Sequence, residues 1–172
     1  MGRTVYTIGY EGTDIGRFVE TLVAVGVKTV ADVRAVPHSR KRGFSKEALR
    51  GALAGADISY QHFLDLGDPK EGRDAARSGN YDRFRAVFTA HMATDAARSS
   101  LATLARLADA EPTCLLCFER DPNVCHRSII ASELRDCGMK VFDLYGDAPS
   151  RYVRHAHLVP RHDPGQGAPA PE

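Results

Sequence analysis

The chain has 172 residues, 43% of them hydrophobic and 26% charged, with a formal net charge of +1. That length suits one domain with a buried core and is too short for two of ordinary size, and the composition is ordinary for a soluble globular protein. The near-zero balance excludes a global field that would drive the molecule onto nucleic acid or membrane. Charge is nevertheless uneven: residues 34–50 hold Arg34, Arg40, Lys41, Arg42, Lys46 and Arg50 against Glu47 alone. Four cysteines, at 114, 117, 125 and 137, do not resemble a secreted disulfide framework. The first residues lack the apolar core of a signal peptide, and no apolar run approaches the roughly 20 residues needed to span a bilayer. A cytoplasmic setting without a membrane partner is expected.

In chain order, residues 4–8 form a β-rich run that ends at Gly9 and opens into a loop. Ile15, Phe18, Val19, Leu22 and Val23 recur at helical spacing behind a cap at Thr13 or Asp14, and Gly26 ends that helix. A second strand spans 29–33, with Asp32 and Arg34 sharing one face because they stand two apart. The basic loop VPHSRKRGFSKEAL follows, with Ser45 as the N-cap of a short helix through Leu53. Residues 58–64 read as a third strand that leaves Tyr60 and His62 on one face. LGDPKEGRDAARSGN, 66–80, lacks periodicity and reads as a long surface loop. Helices are expected over 81–92 and 95–109, a strand over 113–119, a helix over 123–136 and a last strand over 141–145. Strands alternating with helices imply an α/β domain, a mostly parallel sheet covered on both faces. The expected division is one domain over 1–147 and a C-terminal extension over 148–172, Pro- and Gly-rich and flexible from about residue 160.

The segment LLCFERDPNVCHRSIIASEL, 115–134, carries the most chemistry. An apolar run breaks at Asp121-Pro122-Asn123 and resumes as a helix, and the break holds Glu119, Cys125, His126 and Arg127. If Asn123 is the N-cap, Cys125 lies in the first helical turn, where free N–H groups and a partial positive charge favour a thiolate. A buried, inert thiol is the ordinary alternative. His126 reads either as a group that reaches substrate or pairs with Glu119, or as a helix cap. Arg127 reads as an anion holder or as the ion-pair partner of Glu119 or Asp32, and Glu119 as a general base or a counter-ion. Cys114-x-x-Cys117 reads as core, because residues three apart in a strand face opposite sides and Leu115-Leu116 is not turn sequence. Cys125 and His126 alone are too few for a metal, with Asp32, Glu119 and His38 as the side chains able to complete a set.

TIGYEG (7–12), DVRAVPHS (32–39) with Phe44, Tyr60 with Leu66-Gly67, and LLCFERDPNVCHR (115–127) together resemble the family labelled domain of unknown function 488. The resemblance covers about residues 4–145, and the last motif is its most specific part. It implies a single three-layer Rossmann-like domain and a link to nucleic-acid metabolism by analogy; it implies no settled activity. The first motif departs from the family's commoner His-Ser ending, so no role of that pair is carried over.

These readings point to an enzyme acting on a nucleotide or nucleic acid. Cys125, His126, Glu119 and Asp32 are its candidate catalytic groups. Arg34, Arg127, Ser39, Arg40, Arg42, Tyr10 and Tyr60 are its candidate substrate contacts, with Phe44 available for base stacking. Asp32, Arg34, Glu119, Cys125, His126 and Arg127 are expected to converge in one crevice, which Tyr10 would also reach if the first strand is central. The alternatives are a non-catalytic module that binds nucleic acid or phosphate, and a metal-dependent enzyme using the Cys-His pair. No cofactor is predicted, a metal being the alternative, and the oligomeric state is not readable.

Overall fold

In the computed structural model, which describes residues 3–162, fifteen short elements alternate along the chain. The strands are β1 (Thr4–Gly9), β2 (Thr29–Asp32), β3 (Ser59–His62), β4 (Thr113–Cys117) and β5 (Lys140–Tyr145). The helices are α1 (Ile15–Val25), α2 (Lys46–Ala54), α3 (Lys70–Arg77), α4 (Tyr81–Met92), α5 (Asp95–Ala110), α6 (Arg127–Asp136) and α7 (Ser150–Arg154). The remaining three elements are 3-10 turns. All five strands pair in parallel, in the order β3-β2-β4-β1-β5. Parallel strands must be joined by crossovers, and helices cover both faces, as the strand–helix alternation requires.

Local chemistry explains most boundaries. Asp14 accepts the Arg17 N–H at 2.9 Å and starts α1, and Gly26 ends it in the left-handed conformation at φ 81°. The buried face of α1 carries Phe18 and Leu22, each contributing on the order of 1.5–3 kcal/mol by leaving water. Ser45 stands at the start of α2, but its hydroxyl donates to the Ser39 carbonyl instead of capping the helix.

Two cores lie on opposite faces of the sheet. One holds Val5, Ala31, Val33 and Leu115 with side chains of α3, α4, α5 and α6. The other holds Tyr6, Ile8, Val30, Cys114 and Leu116 with α1, α2 and the C-terminal residues Tyr152 and Val159. Tyr6 Oη also donates to the Pro160 carbonyl at 2.7 Å, tying residues past α7 to β1. The expected flexible tail falls largely on residues 163–172, outside the described residues.

Three expectations are corrected. Residues 66–80 are not one long loop: α3 forms there, burying Ala75 in the core shared with α4 and Gly72 against Asp68, with Lys70 and Asp74 paired on its exposed side. Its apolar stripe is two small residues, too little to register as periodicity. β4 ends at Cys117 rather than at residue 119, because the Phe118 side chain turns out to solvent at 45% exposure. The last long helix starts at Arg127 and not at 123, since Pro122–Val124 forms a 3-10 turn closed by the Asp121 carboxylate on the Asn123 N–H.

The connections place a switch point at β4. After β1 and β2 the chain turns to α1 and α2 on one face, and after β4 it turns to α6 on the other. β4 lies between β2 and β1, so the carboxyl ends of all three meet where open α/β sheets bind ligands.

Candidate functional site

The expected single crevice is two polar clusters at one sheet edge, on opposite faces. Asp32 shares the face of Val30, under α1 and α2, while Cys117 shares the face of Leu115, under α4 to α6.

The first cluster is an ion pair wrapped in aromatic rings. Asp32 is fully buried, and its Oδ1 accepts from the Arg34 backbone N–H (3.1 Å) and Nε (2.9 Å). Its Oδ2 accepts from Arg34 Nη2 (2.8 Å) and from Tyr60 Oη (2.5 Å). Arg34 Nη1 then donates to the Phe44 carbonyl at 2.7 Å and to Tyr10 Oη at 3.4 Å. Burial works against the guanidinium charge, but Asp32 outweighs it and holds Arg34 above its ordinary pKa. Burial, then Asp32, pushes the Tyr60 hydroxyl up as well. Phe44 is completely buried, stacked on Tyr10 at 4.5 Å, so it has no face for a base, contrary to the stacking role expected of it. In this geometry Asp32, Arg34, Tyr10 and Tyr60 anchor the root of the basic loop.

The loop itself leaves that anchor for solvent. Ser39 Oγ accepts the Lys41 N–H and shapes the turn, while Arg40 and Arg42 are exposed. Neither they nor Lys41 forms an ion pair among the described residues, in contrast to Arg17, Arg83 and Arg98.

The second cluster holds thiols. Cys117 ends β4, and Cys125 and His126 stand immediately before α6, with exposures of 5%, 2% and 5%. Cys125 is therefore outside the first helical turn, and His126 takes the cap position without a side-chain cap bond. His126 Nε2 lies 2.7 Å from the Val33 carbonyl. A carbonyl can only accept, so Nε2 carries the proton and Nδ1 is the nitrogen left to face the sulfurs. Nδ1 lies 3.6 Å from Cys117 Sγ and 3.8 Å from Cys125 Sγ. The ring also meets Phe88 edge-on at 5.1 Å, which fixes its plane. His126 does not pair with Glu119; Cys117 does, its Sγ donating to Glu119 Oε2 at 3.3 Å.

These groups set each other's charge. Burial resists ionisation of Cys125, but the Cys117 hydrogen bond and His126 outweigh it and lower its pKa well below the usual thiol value. The bond to Cys125, then burial, drives Cys117 the opposite way. Burial disfavours the His126 cation, and the Cys125 charge more than offsets that. Burial, then Cys125, pushes the half-buried Glu119 carboxyl up to about 7. A carboxylate that no sequence motif marked belongs here too. Asp68 is 5% exposed, its Oδ1 has no hydrogen-bond partner, and burial pushes it up to about 6 against the pull of His126.

Arg127 is not paired with the carboxylate of Glu119 or of Asp32. Fully buried, it donates from Nη1 to the Glu119 carbonyl (2.5 Å), from Nη2 to the Arg120 carbonyl (3.2 Å) and from Nε to Thr7 Oγ1 (3.3 Å). It clamps the loop that carries Glu119 and, completely buried, presents no surface to an anion.

The remaining motif residues have structural reasons. A Cβ on Gly9 would lie 1.7 Å from the Glu119 carbonyl oxygen, so β1 and the Glu119 loop can meet only at glycine. Glu11 accepts the Arg120 N–H at 2.9 Å and fixes the far side of that loop. A Cβ on Gly67 would lie 2.4 Å from Ala35 Cα, which brings the segment bearing Asp68 against the end of β2.

Cys117 also differs in place from expectation. Cys114 and Cys117 do face opposite sides, as expected, but Cys117 meets Cys125 and His126 instead of remaining plain core. The signal was present as Cys117-x-Glu119 ahead of Cys125-His126; the intervening turn hid it. Chemically, Cys125 faces a second thiol and an imidazole at 2% exposure, a setting suited more to a ligand than to an attacking nucleophile.

No curated protein and no solved structure matches the chain. The domain of unknown function DUF488 matches residues 14–134, well over half of the 172, and so takes in β2, the basic loop and the whole thiol cluster. The chain belongs to the DUF488 family.

Proposed function

We propose that this chain is an enzyme acting on a nucleotide or nucleic-acid substrate at the carboxyl edge of β2, β4 and β1. The observation that carries the reading is one of placement. Two thiols, an imidazole and a half-buried carboxylate come together at the switch point of a parallel sheet. Glu119 is the group at the mouth of this cluster, with Cys117, Cys125 and His126 behind it; proton transfer is its role. The basic loop leaves the same edge, and its unpaired cations are the groups that meet phosphate. Asp32 and Arg34 serve by holding that loop in place.

The test uses purified protein against nucleoside phosphates and short single- and double-stranded oligonucleotides, followed by binding and by product analysis. Glu119→Gln and Cys125→Ser should keep binding and abolish turnover. Replacing Arg40, Lys41 and Arg42 by Ala should weaken binding and flatten its salt slope, by up to about 0.9 for each duplex phosphate that is no longer neutralised. Binding without turnover by the wild type would instead identify a phosphate-binding module. A triple variant that binds as the wild type does would remove the loop from the reading.

A further inference from the structure

We infer that Cys117, Cys125 and His126 form a binding site for one thiophilic divalent cation of the zinc class, with an open fourth position. The inference rests on reading this cluster as the enzyme's reacting centre and supplies the cofactor of that centre.

Three observations carry it. Two thiols and an imidazole form the donor set that soft and borderline cations select. The spacing also matches. A tetrahedral ion with metal–sulfur bonds of about 2.3 Å and a metal–nitrogen bond of about 2.0–2.1 Å sets sulfur and nitrogen about 3.6 Å apart. Nδ1 stands 3.6 Å from one sulfur and 3.8 Å from the other, and all three donor atoms lie within 4.8 Å of one another. Finally, the histidine is prepared for the role. Its Nε2–H is held by the Val33 carbonyl, the outer partner that orients a metal-bound imidazole and fixes its tautomer.

Position in the fold makes the set rigid. Cys117 is the last residue of a central strand, His126 caps α6, and all three residues are buried. Cation binding would release protons from the site, since ligation needs thiolates and a neutral ring. Among the described residues no further Asp, Glu, His or Cys joins the trio. Three protein ligands leave the fourth position to water or substrate, as in catalytic rather than structural zinc sites. Glu119, 3.3 Å from Cys117 Sγ, is the acid–base group beside it.

The test begins with elemental analysis of the full chain as purified. The expected result is one zinc-class ion per chain, lost in Cys117→Ser, Cys125→Ser and His126→Ala and retained in Cys114→Ser and Cys137→Ser. If the ligand variants fail to fold, cobalt(II) added to chelator-stripped, reduced wild type decides the matter. An intense visible band of tetrahedral cobalt with thiolate-to-metal charge transfer, saturating at one equivalent, supports the site. A ligand field of six oxygen or nitrogen donors, or no saturable binding by reduced protein, overturns it. So does a stoichiometric ion that survives the Cys117 and Cys125 substitutions. Metal absent while phosphate-ligand turnover persists overturns this inference alone; metal present without any turnover overturns only the enzyme reading.

Discussion

Asp32 and Asp68 are both buried carboxylates near the carboxyl end of β2, and they differ in almost every other respect. Asp32 has both oxygens doubly hydrogen-bonded by Arg34 and Tyr60, on the α1 and α2 face. Asp68 has an oxygen without a partner, beside His126 and Cys125. A buried charge whose every lone pair is engaged belongs to the architecture. One left unsatisfied stores a cost that folding alone does not explain. The same contrast separates the clusters around them: one closed network fixes the loop, and the other holds groups whose protons are still negotiable.

The largest expected effect tests the closed side. Arg34→Met strands the Asp32 carboxylate in a dry site and should lower the unfolding free energy by about 3–5 kcal/mol in urea titrations. Metal content should not change. A loss below about 1 kcal/mol would mean that water reaches Asp32 and that the network is not closed.

Gly9→Ala tests whether the thiol side depends on the close approach of β1 to the Glu119 loop. The added methyl meets the Glu119 carbonyl, so the loop must move, at about 1–3 kcal/mol of stability by analogy with overpacked cores. Protein that binds and turns over as before would show that the position of Glu119 is not critical.

The pH dependence of stability tests Asp68. Its pKa in the folded chain, about 6, exceeds the ordinary 3.8, so between those values the native state holds the proton more tightly than the unfolded chain. Stability contributed by the protonated form is therefore complete below about pH 4 and falls as pH rises to about 6. In chelator-stripped protein, Asp68→Asn should remove that fall and exceed the wild type at pH 7 by roughly 1–3 kcal/mol. Parallel wild-type and variant curves from pH 4 to pH 7 would show that Asp68 is solvated.

The smallest expected effect on stability is that of the basic loop. Replacing Arg40, Lys41 and Arg42 by Ala should change unfolding by no more than about 0.5 kcal/mol, because none of the three is paired. A larger change would give the loop an architectural role beyond its Asp32–Arg34 root.

Sequence alone determined the alternation of strands and helices, the start of α1 at Thr13 or Asp14 and its stop at Gly26, and the segment that holds Cys117, Glu119, Cys125 and His126. Those follow from local rules of capping, periodicity and left-handed glycine that need no knowledge of distant residues. It also separated Cys114 from Cys117 and joined Asp32 to Arg34, since side-chain alternation is fixed within a strand. Tertiary structure decided which face each pair meets, because that depends on where the crossovers lay their helices. It placed Phe44 under Tyr10 and away from solvent, turned Arg127 onto the carbonyls of its own loop, and formed α3 where small residues gave no pattern. Above all it brought Cys117 to Cys125 and His126 across a turn, with a backbone carbonyl at the end of β2 holding the ring. A carbonyl is present at every residue, so no sequence marks the one that orients a histidine; only the sheet order, β2 beside β4, could supply it.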